Sequence, residues 1–372
     1  MTSAPINVAL VGFGMVAKVF HAPLITANPN LHLHMVVERH SDTSKTLYPW
    51  VNIVKSFEDV LNAKDVQLVV ILTPNQQHYE MAKKALQAGK HVVVDKPFTI
   101  TSAEARELAE MAKSQNKVCS VFQNRRWDGD FLTVQKLIEA ETLGRVVEVE
   151  SHFDRFRNVS KANAWREADV PGSGMLYDLG AHLIDQALTL FGKPDSLIAQ
   201  VSNQRRLQTT SVDDDFHIIL NYSSFSGIKG SSKSSVPAPL RVILRSSMLA
   251  RATPVTRFIV RGMNGTYTKN GLDIQEDQLK AGLTPKNAEF GVEPESHWGD
   301  LNTDVSGVHV VGKVETLKGN YAAYYQNVAD VVSNKKPMSD LAVSADDGAN
   351  VIYTIELATK SSEQGGSVVP FQ

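Results

Sequence analysis

The 372-residue chain contains a single cysteine, Cys119. One thiol cannot close an internal disulfide, and it excludes a structural cysteine-rich zinc site. Net charge is nearly absent: 38 Lys plus Arg stand against 40 Asp plus Glu, a formal −2. Binding a phosphate backbone needs a positive excess, so nucleic acid is not expected as the main partner. No uninterrupted apolar run approaches about 20 residues, so no transmembrane helix is expected. No basic segment precedes an apolar run with a cleavage site, and the final residues match no simple targeting tail. The expected address is therefore the cytoplasm. What is present is ordinary for a folded chain: 42% hydrophobic and 21% charged residues, which excludes disorder. The length suits two domains rather than one.

The first third alternates short apolar runs with helical patterns. Val8–Val11, Leu33–Val37, Leu68–Leu72, His91–Val94 and Val118–Val121 read as strands. Between them, residues 80–87 carry apolar side chains at helical spacing and stop at Gly89, and a further helix opens at Ser102. Unalternating strands separated by helices predict a doubly wound parallel sheet covered on both faces. After about residue 124 the pattern changes. Val146–Phe153, His217–Tyr222, Arg241–Leu244 and Phe258–Arg261 alternate like half-exposed strands joined by polar turns. This part predicts a second α/β domain with a large, mostly antiparallel open sheet. The expected division is residues 1–124 and 125–372. A helix spans Leu176–Phe191, and the last helix, 342–360, is expected near the domain junction. The stretches 223–235 and 283–307 read as irregular.

The first strand runs into Gly12-Phe13-Gly14-Met15-Val16-Ala17, a G-x-G-x-x-A pattern. Gly12 permits a tight turn, Gly14 lets the backbone approach a pyrophosphate, and Ala17 allows close helix–strand packing. The following helix turns its free N–H groups toward the phosphates. The second strand ends in Glu38-Arg39-His40-Ser41. An acidic residue here can hold the ribose 2′-OH of NAD, and an arginine can accept the 2′-phosphate of NADP. Glu38 would repel that phosphate unless it turns away. The balance leans to NADP over NAD.

Two further places carry chemistry. Lys96, in Asp95-Lys96-Pro97, sits at the carboxyl end of a central parallel strand, where such sheets bind ligands. Its compact charge suits an oxygen that is becoming anionic. Asp178, His182 and Asp185 share one face of a helix at i, i+4 and i+7. A histidine beside a carboxylate is a usual acid–base unit. A buried histidine satisfied by aspartate is the plain alternative. A zinc site is another, but no cysteine supports it and a clear third ligand is missing.

These segments together resemble the glucose–fructose oxidoreductase/inositol dehydrogenase (Gfo/Idh/MocA) family along essentially the whole chain. The resemblance is carried by Gly12-Phe13-Gly14-x-x-Ala17, Thr73-Pro74-Asn75-x-x-His78, Ala88-Gly89-Lys90-His91-Val92, Asp95-Lys96-Pro97 and Asp178-x-Gly180-x-His182-x-x-Asp185. Asn124-Arg125-Arg126-Trp127-Asp128, Asp154-Arg155-Phe156-Arg157 and Trp165-Arg166-Glu167 point to the NADP-dependent scyllo-inositol dehydrogenase-like subgroup. The resemblance implies that Lys96 contacts the reacting oxygen, His182 accepts its proton, and Asp178 binds a substrate hydroxyl. It implies cofactor contacts from Gly12, Phe13, Gly14, Met15, Val16, Glu38, Arg39, His40, Thr73, Pro74, Asn75, His78, Asp95, Lys96 and Gln123. One departure is Asp95, where the family's usual residue is glutamate. The stretch 231–256 is another, because it looks longer than in relatives.

A sugar or cyclic polyol is the expected substrate, met by Arg125, Trp127, His152, Trp165, Arg166 and Tyr177 together with Lys96, Asp178 and His182. Aromatic faces stack on ring C–H groups while charged groups read hydroxyls. Arg126 and Asp154 read instead as structural ion-pair residues. The expected protein is thus an NAD(P)-dependent dehydrogenase with no resident metal, assembled as a homodimer or larger homo-oligomer. A non-catalytic dinucleotide sensor and an NAD-using glycosidase are the alternatives.

Overall fold

The structure is a computed structural model that describes residues 4–160, 167–207, 210–228 and 237–372. They form two compact units, one of Met1–Trp127, Gln275–Phe290 and Asn320–Ile352, the other of Asp128–Ile274, Gly291–Gly319 and Tyr353–Gln372.

The first unit is built on six parallel strands: β1 (Ile6–Val11), β2 (Leu31–Val37), β3 (Asn52–Val54), β4 (Leu68–Ile71), β5 (His91–Val94) and β6 (Cys119–Val121). Their order is β3-β2-β1-β4-β5-β6, so the winding reverses between β1 and β4. Ligands bind in the crevice that such a reversal opens at the carboxyl ends of the strands. All four residues of β4 are buried, as a run of Leu-Val-Val-Ile demands when helices cover both faces. The helix Ser102–Ser114 starts on a reciprocal capping box between Thr101 and Glu104. The five strands read from the apolar runs are all present. The sixth, β3, is three residues long at the sheet edge, too short to leave a pattern.

The second unit carries nine strands: β7 (Val146–His152), β8 (Ser196–Ser202), β9 (Asp215–Phe225), β10 (Ala238–Ser247), β11 (Thr256–Gly262), β12 (Gly265–Asn270), β13 (Gly299–Val305), β14 (Val308–Val314) and β15 (Val369–Pro370). The order is β14-β13-β12-β11-β7-β10-β9-β8-β15. Among the described residues only the β7–β10 pair of this sheet is parallel. Strand β9 shows the period of two plainly, Phe216, Ile218, Leu220 and Tyr222 turning inward. The stretch 283–307, expected to be irregular, instead contains β13, which forms a hairpin with β14. That hairpin is mostly exposed on both faces, so it has little need of an apolar repeat. Most of 231–256 that is described is regular: β10 fills 238–247 and pairs on both sides.

The Leu176–Phe191 helix is observed, but its first turn, Leu176–Gly180, is π-helical and only Ala181–Phe191 is α-helical. The last helix runs Ala345–Glu363. Among the described residues no helix is long and apolar enough to cross a membrane.

Candidate functional site

The glycine loop has the backbone that its sequence requires. Gly12 has φ +103°, and a Cβ there would lie 3.4 Å from the Leu72 carbonyl oxygen of the neighbouring strand's end. Gly14 is exposed with open space where a Cβ would stand, which leaves its backbone approachable. Phe13 is buried and anchors the loop, while Met15 is exposed. The helical turns that follow have no acidic residue at their start, so nothing opposes an anion there.

At the end of β2 the Glu38 carboxylate is folded back into its own loop. One oxygen accepts from Ser41 Oγ (2.6 Å) and the Thr43 N–H (3.1 Å), the other from the Ser44 N–H (2.9 Å) and Ser44 Oγ. Burial alone would raise its pKa, but these hydrogen bonds outweigh burial and hold the carboxyl below its usual range. Arg39 and His40 are exposed. Lys55, just past β3, reaches the same turn and donates to the Glu38 and Ser41 carbonyls at 3.0 and 3.2 Å. Lys55 is invisible as a site residue until β3 is recognised.

At the ends of β4 and β5, Pro74 is exposed, Thr73 half-buried, and Asn75 and His78 buried. His78 bridges two turns: Nε2 lies 2.9 Å from the Thr73 carbonyl, and Nδ1 2.9 Å from the Pro97 carbonyl. Burial pushes its pKa down despite the nearby Asp95 charge. Lys96 is half-buried between the buried Asp95 and Pro97. At the end of β6, Gln123 is 2% exposed, and its Oε1 has no hydrogen-bond partner among the described residues. A buried acceptor left open in a crevice fits a donor on a bound molecule.

In the second unit the histidine helix starts from a tight glycine turn. Gly174 has φ +93°, and a Cβ there would collide with Asp213 Oδ1 at 2.0 Å. Asp213 caps the helix by accepting the Leu176 N–H at 2.7 Å. Burial raises its carboxyl to about 6 against that hydrogen bond. A raised carboxyl stabilises the fold when protonated, and that stability is lost as pH climbs from about 4 through about 6. Asp213→Asn keeps the acceptor and removes the titration. Its unfolding free energy should therefore fall less between pH 4 and 7 than that of the unaltered chain, by about 2–3 kcal/mol.

Tyr177 and Asp178 lie half-buried in the π turn, His182 is 5% exposed, and Asp185 is 1% exposed. Asp178 stands in the π-helical turn and His182 in the α-helix that continues it. The edge of one ring meets the face of the other between Phe153 and His182, with centroids 6.3 Å apart.

The remaining expected substrate residues are differently engaged. Arg125 is buried and spends its guanidinium on Glu276 (2.7 Å) and the Tyr321 hydroxyl (3.4 Å). Trp127 packs edge-on against Tyr324 at 5.8 Å. His152 lies between Asp154 (3.2 Å) and Glu150 (3.3 Å). Arg126 donates to the Ala342 carbonyl, and Asp154 accepts the Ser247 N–H, both structural contacts. Trp165 and Arg166 lie outside the described residues. Among the described residues no group of three or more His, Cys, Asp or Glu is gathered to hold a metal.

Two family models account for the chain. Residues 6–123 match the oxidoreductase-family NAD-binding Rossmann fold, and residues 135–371 match that family's C-terminal alpha/beta domain. The chain belongs to the Gfo/Idh/MocA oxidoreductase family. Its members include the uncharacterized oxidoreductase YdgJ of Escherichia coli, 41% identical over 96% of each chain. The scyllo-inositol 2-dehydrogenase (NADP(+)) of Bacillus subtilis is 32% identical over 98% of this chain and 96% of the relative. A crystal structure of an oxidoreductase from Bacillus cereus superposes with a TM-score of 0.84 at 30% identity, covering 99% of both chains. As a Gfo/Idh/MocA member the protein is a dehydrogenase or reductase whose first unit has the nicotinamide-dinucleotide-binding fold.

Proposed function

We propose that this oxidoreductase passes hydride between the carbinol carbon of a sugar or cyclic polyol and a nicotinamide cofactor, with NADP favoured over NAD. The observation that carries the cofactor choice is the Glu38 carboxylate, tied to Ser41, Thr43 and Ser44. With donors already on both oxygens it is not free to hold a ribose hydroxyl, and its charge is turned into its own loop. Arg39, His40 and Lys55 are the cationic and donor groups around it. A dinucleotide suits the open backbone of Gly14 and the unsatisfied Gln123 Oε1. The polyol reading is supported by relatives named scyllo-inositol 2-dehydrogenase, D-glucoside 3-dehydrogenase and levoglucosan dehydrogenase.

Bound, the cofactor supplies the hydride acceptor. In this reading the first unit holds it and the second holds the substrate. His182 takes the hydroxyl proton on a ring nitrogen. Lys96 Nζ meets the oxygen as it gains charge, and Asp178 binds a hydroxyl and fixes its orientation. Tyr177 lies beside Asp178. The proposed oligomer is a homodimer or larger. The row Ile198, Ile219 and Ile243, half-buried on one sheet face, supports it.

The test is a nicotinamide-absorbance assay with NADP and NAD against inositols, aldoses and their keto forms. Turnover with a polyol is expected, faster with NADP. Tight cofactor binding without turnover across the panel would overturn the reading. Arg39→Ala should raise KM for NADP about tenfold, the worth of one charge-assisted hydrogen bond, and barely move KM for NAD. Equal effects on both would remove Arg39 from cofactor choice.

A further inference from the structure

The helix after the glycine loop is interrupted by a π turn, Ala17–His21, which ends on a histidine with 0% exposure. Such turns concentrate at functional sites. The His21 ring packs on Phe122 with centroids 4.0 Å apart. Its Nδ1 lies 2.6 Å from the Tyr325 hydroxyl. Its Nε2 faces Asp95 Oδ1 at 3.9 Å and has no hydrogen-bond partner among the described residues. Inventory sets the proton positions. At 3.9 Å the contact is electrostatic rather than a hydrogen bond, and a ring that turns an N–H toward an ionised carboxylate is favoured over one that turns a lone pair there. For a neutral ring, Nδ1 is then an acceptor and Tyr325 donates to it.

Asp95 is surrounded by groups from several elements. His21 comes from the glycine-loop helix, His78 from the helix His78–Gln87, and Tyr324 and Tyr325 from the helix Ala322–Val332. Lys96 is its neighbour in the chain. Burial alone would raise the Asp95 pKa, but His21, Lys96 and His78 outweigh burial and hold the carboxyl below its usual value. The Tyr324 and Tyr325 hydroxyls are pushed well up by burial, so both stay neutral donors.

We propose that Tyr325, His21 and Asp95 form a positioning array that keeps a carboxylate beside Lys96 and so holds the ammonium in place for the substrate oxygen. The role of the array in catalysis rests on Lys96 being the group that meets that oxygen.

Two measurements test it. The first is ¹⁵N NMR of the histidine rings in the cofactor-free protein, with His21→Phe assigning the signal. Protonation of His21 Nε2 is expected, and an Nε2 bare of hydrogen overturns the array whatever the enzyme does. The second is the pH profile of kcat for His21→Phe and the milder Tyr325→Phe, both of which keep an aromatic ring in place. Losing the N–H lets Asp95 take a proton earlier as pH falls, so the acid limb should move up by about one pH unit in His21→Phe. It should move less, in the same direction, in Tyr325→Phe. KM for the cofactor should stay within about twofold. A space-filling role leaves the limbs unmoved in both variants, and that result overturns the proposal. A wild-type protein with no turnover would instead sink the functional reading, while the NMR result still decides the array.

Discussion

Replacing His182 by alanine should cut kcat by about 10²–10⁴, the usual contribution of a positioned general base, with cofactor affinity unchanged. The separation of the two effects follows from the architecture. His182 belongs to the second unit, while Gly12, Gly14, Arg39 and Gln123 belong to the first. The substitution leaves the capping contact of Asp213 with Leu176 in place, so the helix start survives. What is lost is the imidazole proposed as the base, in a nearly buried position beside Phe153. Steady-state kinetics with a saturating cofactor, and cofactor titration by fluorescence, read the two quantities independently. A kcat within about threefold of wild type would take His182 out of the mechanism. Asp178→Asn offers the contrasting case. It keeps size and hydrogen bonding but loses charge, so its main effect should fall on substrate KM.

Much of this was legible from residue order because the strands of the first sheet are buried on both faces. Val8–Val11 and Leu68–Ile71 can only be apolar, and an apolar run between helices has few other interpretations. Gly12 was equally informative, since the G-x-G-x-x-A pattern asks for the positive φ that it has. Illegible features were those set by pairing across long chain separations. Strand β13, Gly-Asp-Leu-Asn-Thr-Asp-Val, lies in a solvent-facing hairpin, and its composition resembles a loop. The ion pair of Arg125 was hidden, because its partner, Glu276, stands 151 positions away. His21 gave no signal, because only the π turn and a tyrosine 304 positions later make it more than a core residue. The direction of Glu38 was also hidden: whether its carboxylate turns away depends on Ser41 and Ser44, whose hydroxyls the residue order alone does not aim at it.

The largest stability effect is expected at Arg257, which composition and spacing left unremarked. Its side chain is 0% exposed, and each of its nitrogens is engaged. Nε donates to Asp130 at 3.0 Å, one terminal nitrogen to Ser151 Oγ at 2.8 Å, and the other to Gln186 Oε1 at 2.8 Å. The guanidinium also stacks over Phe153 and Phe258, at 4.8 and 4.0 Å. Arg257→Met keeps much of the stem volume but strands the equally buried Asp130 carboxylate, so the second unit should lose about 3–5 kcal/mol in chemical denaturation. Most of that loss is the stranded charge rather than the worth of the pair. The double variant Arg257→Met/Asp130→Leu should therefore recover most of it. Two independent losses that simply add would show that the two residues do not form an energetic pair. Stability restored in the double variant need not restore catalysis. Gln186 lies one helical turn beyond His182, and Phe153 packs against the His182 ring. The double variant removes the cation that anchors both, so kcat should stay about tenfold down with KM for cofactor unmoved. Full recovery of kcat would mean that the buried cation serves the fold alone.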